Sequence, residues 1–167
     1  MVSLFLFKDM TQGHSIVFQK EKAGSPVKDL ISDFGMVCLS FPFQLGFESK
    51  DVTSDDWVDE YGEDSFEPDI LPLKAYDLES VIGYEGADDT KLKSFLDYLI
   101  GLDGNGARLK VYNSYSKIGR KGLRFIQYEP ALSSSDIKTF KIVFRVTDPR
   151  TIVSPTYDAS NNVTALT

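Results

Sequence analysis

The stretch Thr139-Phe140-Lys141-Ile142-Val143-Phe144-Arg145-Val146-Thr147-Asp148-Pro149 decides the fold class. Apolar Phe140, Ile142, Phe144 and Val146 alternate with Thr139, Lys141, Val143, Arg145 and Thr147. Successive side chains of a strand point to opposite faces, so the segment predicts a strand with one buried and one mostly polar face. Asp148-Pro149 ends it, because proline has no amide hydrogen to give the ladder. Such a strand belongs to an antiparallel sheet with one wet side. It carries no catalytic chemistry, and function has to be sought in assembly.

Working outward, 167 residues suffice for one domain with a real core. Residues 1–153 read as a single β-rich domain and 154–167 as a flexible polar tail or exchanged arm. Hydrophobic content of 42% and charged content of 26% are ordinary for a soluble globular protein. The 12 Phe and 8 Tyr suit strands and interfaces. A net charge of −7 argues against a nucleic-acid binder, which needs an excess of Lys and Arg against phosphate. Cys38 is the single cysteine, so no internal disulfide forms and nothing ties the fold to an oxidising compartment. The start, Met1 to Asp9, lacks a basic n-region and a long apolar core, and no stretch approaches the ~20 apolar residues of a membrane span. The expectation is synthesis in the cytoplasm without export by a Sec-type signal and without a membrane partner. Asn162-Val163-Thr164 matches a glycosylation sequon by chance.

Leu4–Phe7 and Ile16–Phe18 read as a first hairpin, and Glu21–Lys28 as a loop. Asp33–Phe41 reads as a strand broken by Pro42 and Gly46. Glu48–Asp69 holds ten acids against Lys50 alone, which makes a long exposed acidic loop. Trp57, Tyr61 and Phe66 sit within it, so it docks on either its own barrel or a neighbour. Leu71–Tyr84 returns to strand, with Tyr76, Leu78, Ile82 and Tyr84 on one parity. Leu92, Phe95, Leu96, Leu99 and Ile100 form an apolar stripe at helical spacing, so one short helix spans about residues 90–100. Asp88, Asp89 or Thr90 caps it and Gly101 stops it. Asp103-Gly104-Asn105-Gly106 is turn chemistry. Arg108–Tyr115 reads as a strand, Ser116–Gly122 as a loop, Leu123–Tyr128 as a strand and Pro130–Asp136 as a loop.

Reactive chemistry is sparse. His14 is the single histidine, which excludes a zinc site of the usual His/Cys kind within one chain. Gly13-His14-Ser15 lacks the nucleophile-elbow pattern, and a loop histidine is the better account. Counting an EF-hand from Asp103 puts Arg108 where glycine is needed and Ser114 where glutamate is needed, so no calcium loop is read there. Lys117-Ile118-Gly119-Arg120-Lys121-Gly122 lacks the order of a Walker loop. No catalytic residue, cofactor or metal is assigned, and the chain is read as not an enzyme.

One pattern joins two segments. Arg108 to Tyr128 holds six basic residues and no acid, whereas Glu48 to Asp69 is acidic. Charge segregated in this way fixes orientation when copies meet head to tail, and such a contact closes into a ring if the rotation allows. The candidate subunit interface is Asp55, Asp56, Asp59 and Glu60 against Lys117, Arg120, Lys121 and Arg124.

Asp33-Phe34-Gly35-Met36, then Leu71-Pro72-Leu73-Lys74-Ala75-Tyr76-Asp77-Leu78-Glu79, a helix at Lys91–Ile100 and a closing strand at Phe140–Pro149 resemble tail proteins of long-tailed bacteriophages, in the distal-tail and tail-tube group. The similarity covers roughly Asp33 to Thr151. It implies a structural virion or prophage component, a hexameric ring with other tail proteins as partners, and a channel that passes DNA without binding it specifically. An acidic lining that repels DNA agrees with the net charge. The fold read from these pieces is mainly β: an antiparallel β-sandwich or barrel with one short packed helix and a long acidic loop. The alternative is a carbohydrate-binding β-sandwich module of a receptor-binding apparatus, using Trp57, Tyr61 or Tyr76 as its platform. A hydrolase built on two acids of the acidic loop is a further rival without a residue to nominate.

Overall fold

The computed structural model describes residues 14–43, 48–55, 58, 61, 64–66, 68–133 and 136–167. Its strands are β1 (Ile16–Lys20), β2 (Val27–Asp29), β3 (Met36–Ser40), β4 (Ser54–Asp55), β5 (Asp64–Ser65), β6 (Tyr76–Glu85), β7 (Leu109–Asn113), β8 (Ile118–Ser133), β9 (Ile137–Val146), β10 (Pro155–Tyr157) and β11 (Val163–Leu166). Two helices, α1 (Leu30–Phe34) and α2 (Thr90–Ile100), complete the described elements. Seven strands form one antiparallel sheet in the order β2-β1-β7-β8-β9-β6-β3. A bridge from His14 to Cys38 brings edge strand β3 back to the start of β1, so the sheet curls towards a barrel. The mainly β antiparallel architecture with a packed helix at residues 90–100 is as the sequence led us to expect.

The strand that opened the reading, β9, is central. It pairs with β6 from Tyr76↔Val146 to Glu85↔Ile137 and with β8 on its other side. Phe140, Ile142, Phe144 and Val146 are all buried, as their alternation requires. Each contributes ~2–3 kcal/mol from apolar surface removed from water. The opposite face stays wet: Arg145 pairs with Asp77 at 3.0 Å, and Lys141 lies 2.8 Å from Glu129 and 3.4 Å from Glu79. On β6, Ser80 falls on the buried parity and satisfies its hydroxyl by donating to the Ile142 carbonyl at 3.0 Å.

Helix α2 covers this core with Phe95, Tyr98 and Leu99. Gly101 stops it at φ 90° in the left-handed region, the conformation that glycine adopts without a Cβ penalty. Asp88, one of the three expected caps, accepts from the Thr90 amide at 2.9 Å. Helix α1 replaces the first part of the strand expected over Asp33–Phe41. Asp29 accepts from the Ile31 and Ser32 amides, and Gly35 closes the helix at φ 63°. Capping at both ends outweighs the apolar run, and Leu30 and Phe34 join the same core.

Three further readings are corrected. Ser116–Gly122 is a turn only as far as Lys117; β8 starts at Ile118 and runs to Ser133. Its register shifts opposite Lys110, where Gly122 adopts φ 71° and forms a bulge. Upstream of it β8 pairs with β7, and downstream with β9. Pro130, taken as the start of a loop, lies inside β8. Residues 154–167, expected as a flexible polar tail or exchanged arm, pair with one another as β10 and β11. Leu166 and Val163 pack with Val17, Tyr112 and Val153 on the outer face of β1 and β7. Lys110 donates to the Leu166 carbonyl, and the Leu166 amide donates to Gln19, which fixes the hairpin to its own chain. Of the first expected hairpin, Ile16–Phe18 lies in β1, while Leu4–Phe7 falls outside the described residues.

Buried phenols set a pH limit on this fold. Burial, helped by the hydroxyl's bond to Asp89, pushes Tyr84 above the ordinary 10.0, and burial pushes Tyr98 up as well. The unfolded chain releases these protons first, so their stabilisation is complete below pH 10.0 and is lost as pH climbs through the raised folded values. The expected outcome is cooperative alkaline unfolding, in which the last part of the phenolate absorbance, from these buried rings, rises together with the loss of circular dichroism above that pH. Ionisation of all eight tyrosines with the fold intact would contradict the burial of these two rings.

Candidate interaction surface: the arm and the basic segment

The acidic segment is a two-legged arm rather than an unpaired loop. Its base is tied by the Ser49↔Leu73 bridge, by the Lys50 amide donating to Pro72 O at 2.7 Å and by the Lys74 amide donating to Glu48 O at 2.8 Å. Further out the Phe66 amide donates to Thr53 O at 3.0 Å. Beyond that β4 and β5 pair as Ser54↔Ser65 and Asp55↔Asp64. Lys74 anchors the base from the side, 2.7 Å from Glu48 and 4.0 Å from Asp51. The hydrogen bond that Lys74 donates to Glu48, and then the charge of Asp51, raise the Lys74 pKa.

Among the described residues, the larger apolar side chains from 58 to 71 are exposed. Val58 and Tyr61 are fully exposed, Phe66 is 87% exposed, and Ile70 and Leu71 are exposed at the base. Large apolar groups held out in water on a projecting element mark an interaction surface. Of the four acids proposed for an interface, Asp55 lies exposed in β4; Asp56, Asp59 and Glu60, like Trp57, fall outside the described residues.

The basic partners divide. Lys117 is exposed in the β7–β8 turn at φ 60°, and Arg124 is exposed on β8. Lys121 lies 3.8 Å from Asp148 of its own chain. Arg120 is only 4% exposed and donates to the Gly119 carbonyl at 3.3 Å, so its charge is not on the surface. Among the described residues no ion pair joins the arm to Lys117–Arg124. Burial of Arg120 was not legible from its neighbours Lys117 and Lys121. The signal was its pairing with Ile152, which no local pattern reveals.

The other candidates take structural places. His14 stacks on Tyr115, with ring centroids 3.7 Å apart. Tyr76 packs against the main core. A cleft of about 380 Å³ lies between β1, β2 and the C-terminal hairpin, lined in part by Asp29, Asp33, Tyr112 and Tyr157. Its carboxylates are engaged: Asp29 caps α1 and accepts from Ser15, and Asp33 accepts from the Asp29 amide at 2.7 Å. Among the described residues no group of three or more His, Cys, Asp or Glu side chains is placed to hold a metal ion, and no helix is long and apolar enough to cross a membrane.

No protein-family model matches this sequence. No curated protein sequence matches it either. In three dimensions the chain is similar to the crystal structure of SPP1 Dit, with a TM-score of 0.51 and 16% identity over 83% of this chain. SPP1 Dit is described as a paradigm of the hub adsorption apparatus in phages that infect Gram-positive bacteria. The likeness is one of fold. The present chain spans about half of that protein, 53% of its length.

Proposed function

We propose that this chain is a structural component of a phage or prophage tail, of the distal-tail or tail-tube kind, which assembles with copies of itself as a ring around a channel. The observation that carries the reading is the arm, which holds Tyr61 and Phe66 away from its own barrel. A fold shared with a phage tail hub protein supports it. In the ring, the arm of one copy lies against the next copy's β8, with Asp55, Asp56, Asp59 and Glu60 facing Lys117, Lys121 and Arg124. Arg120, buried in its own chain, takes no part.

Magnitudes assign the roles. Burying an aromatic side chain is worth ~2–3 kcal/mol, whereas an exposed ion pair is worth ~0–1 kcal/mol. The aromatic residues therefore supply the affinity and the charges set the orientation. The ring is hexameric in this reading, has other tail proteins as neighbours, belongs to the virion and passes DNA without binding it. The chain acts as a scaffold rather than as an enzyme.

Light scattering on the full chain tests this. A mass above one copy is expected at low salt and high concentration, falling as salt screens the charges. The double variant Tyr61→Ser with Phe66→Ser is expected to stay at the mass of one copy at every salt concentration. A wild-type mass of one copy throughout would contradict the proposal.

A further inference from the structure

The turn that follows α2 encloses a buried cation and carries a reactive dipeptide. Lys20 is 1% exposed at the end of β1. Its ammonium donates to the Tyr98 carbonyl in the last turn of α2 and to the Gly106 carbonyl at 2.6 Å. The Asp103 carboxylate lies 3.8 Å from it. The turn folds tightly on the helix end: a β-carbon at Gly101 would come within 2.9 Å of Gly106 C. Asn105 steadies Asp103, its amide and carboxamide donating to the two carboxylate oxygens at 3.2 Å and 3.1 Å. Asn105-Gly106 is the one Asn-Gly pair in the sequence. Gly104 and Gly106 are exposed, and nothing lies within 4 Å of a β-carbon placed at either.

We infer that Asn105 is a site of spontaneous deamidation whose product loosens the anchoring of Lys20. Glycine leaves the following peptide nitrogen without a flanking side chain, which opens it to reaction. The Gly106 amide nitrogen attacks the Asn105 side-chain carbonyl carbon and forms a C–N bond. The C–NH2 bond breaks, and ammonia leaves with the proton the amide gave up. Water then opens the five-membered imide at either carbonyl, giving aspartate or isoaspartate at position 105. No oxidant, enzyme or cofactor is needed. Either product removes the carboxamide donor from Asp103 and sets a second negative charge beside it. Isoaspartate also inserts a methylene into the main chain just before Gly106. Because the backbone at Gly106 already packs closely on Gly101, the added length pushes Gly106 outward and its carbonyl withdraws from Lys20.

The test is to age the full-length protein in mildly alkaline buffer, map its peptides by mass spectrometry and measure its denaturant midpoint before and after. Conversion of amide to acid is expected first at the peptide bearing Asn105, while those bearing Asn113 and Asn161–Asn162 are unchanged. The aged protein is expected to lose midpoint, and Asn105→Ala aged in parallel is expected to keep its own. Two results would overturn the inference: Asn105 intact in the native protein while it converts in urea, or full conversion with an unmoved midpoint.

Discussion

Lys20→Ala is expected to lower the unfolding free energy by about 4 kcal/mol. The lysine continues the inward parity of Ile16 and Phe18 along β1, so its stem runs through the core and its ammonium emerges beneath the end of α2. There it satisfies the carbonyls of Tyr98 and Gly106 and lies 4.3 Å from the Tyr98 ring centroid. Burial lowers its pKa below the ordinary 10.5, and the charge of Asp103 opposes that shift. Truncation removes the donor to the Gly106 carbonyl, leaves the Tyr98 carbonyl with the Gly101 amide alone, and leaves Asp103 without its cation and a cavity along the stem. Lys20→Met loses the donor and the charge but keeps most of the volume, so it should cost less, about 2 kcal/mol. Chemical denaturation of the three proteins checks both values. A Lys20→Ala variant within about 1 kcal/mol of wild type, the range of an exposed charge, would show that the ammonium is not enclosed.

Gly119→Ala should be the next most damaging change, by about 3 kcal/mol. The position lies outside the left-handed region, so backbone preference plays no part. A methyl there would overlap the Val153 carbonyl oxygen, lie 3.1 Å from Val153 C and crowd the Tyr112 ring at 3.2 Å. The obstacle is main chain, which cannot rotate away as a side chain can. The segment that must yield is the one that seats the C-terminal hairpin, where the Val153 amide donates to Gly119 O at 3.1 Å. Hydrogen exchange should therefore show β10 and β11 losing protection before β9. Gly24→Ala is a control, since no atom lies within 4 Å of the added carbon and only its φ of 77° is strained. Equal losses from both changes would show that the hairpin is not packed on β7 and β8.

What was legible in the sequence followed strict periodicity. β9 shows it in four alternating apolar residues, and α2 in a stripe ended by Gly101. Where the fold departs from the reading, a feature without period intervenes. β8 passes through two glycines and three cations that look like loop chemistry, yet Gly122 only bends the strand between two partners. The C-terminal hairpin is polar apart from a few residues, and its stability comes from Leu166 reaching a patch that β1 and β7 build far away in sequence. Lys20 was readable in principle from its parity with Ile16 and Phe18. What hid it was that a lysine enters a core only when a helix end supplies acceptors, and those lie some eighty residues downstream. The interface candidates fared unevenly for the same reason. Composition located the acidic and basic segments, but exposure is settled by tertiary contacts, which leave Lys117 and Arg124 outside and draw Arg120 in.

The most direct measurement is electron microscopy of the concentrated full-length protein at low ionic strength. Closed rings of one size are expected, with each arm seated on the β8 face of its neighbour and Tyr61 and Phe66 covered. Isolated particles at every concentration, with the arm standing free, would contradict the central claim that this chain works by meeting copies of itself.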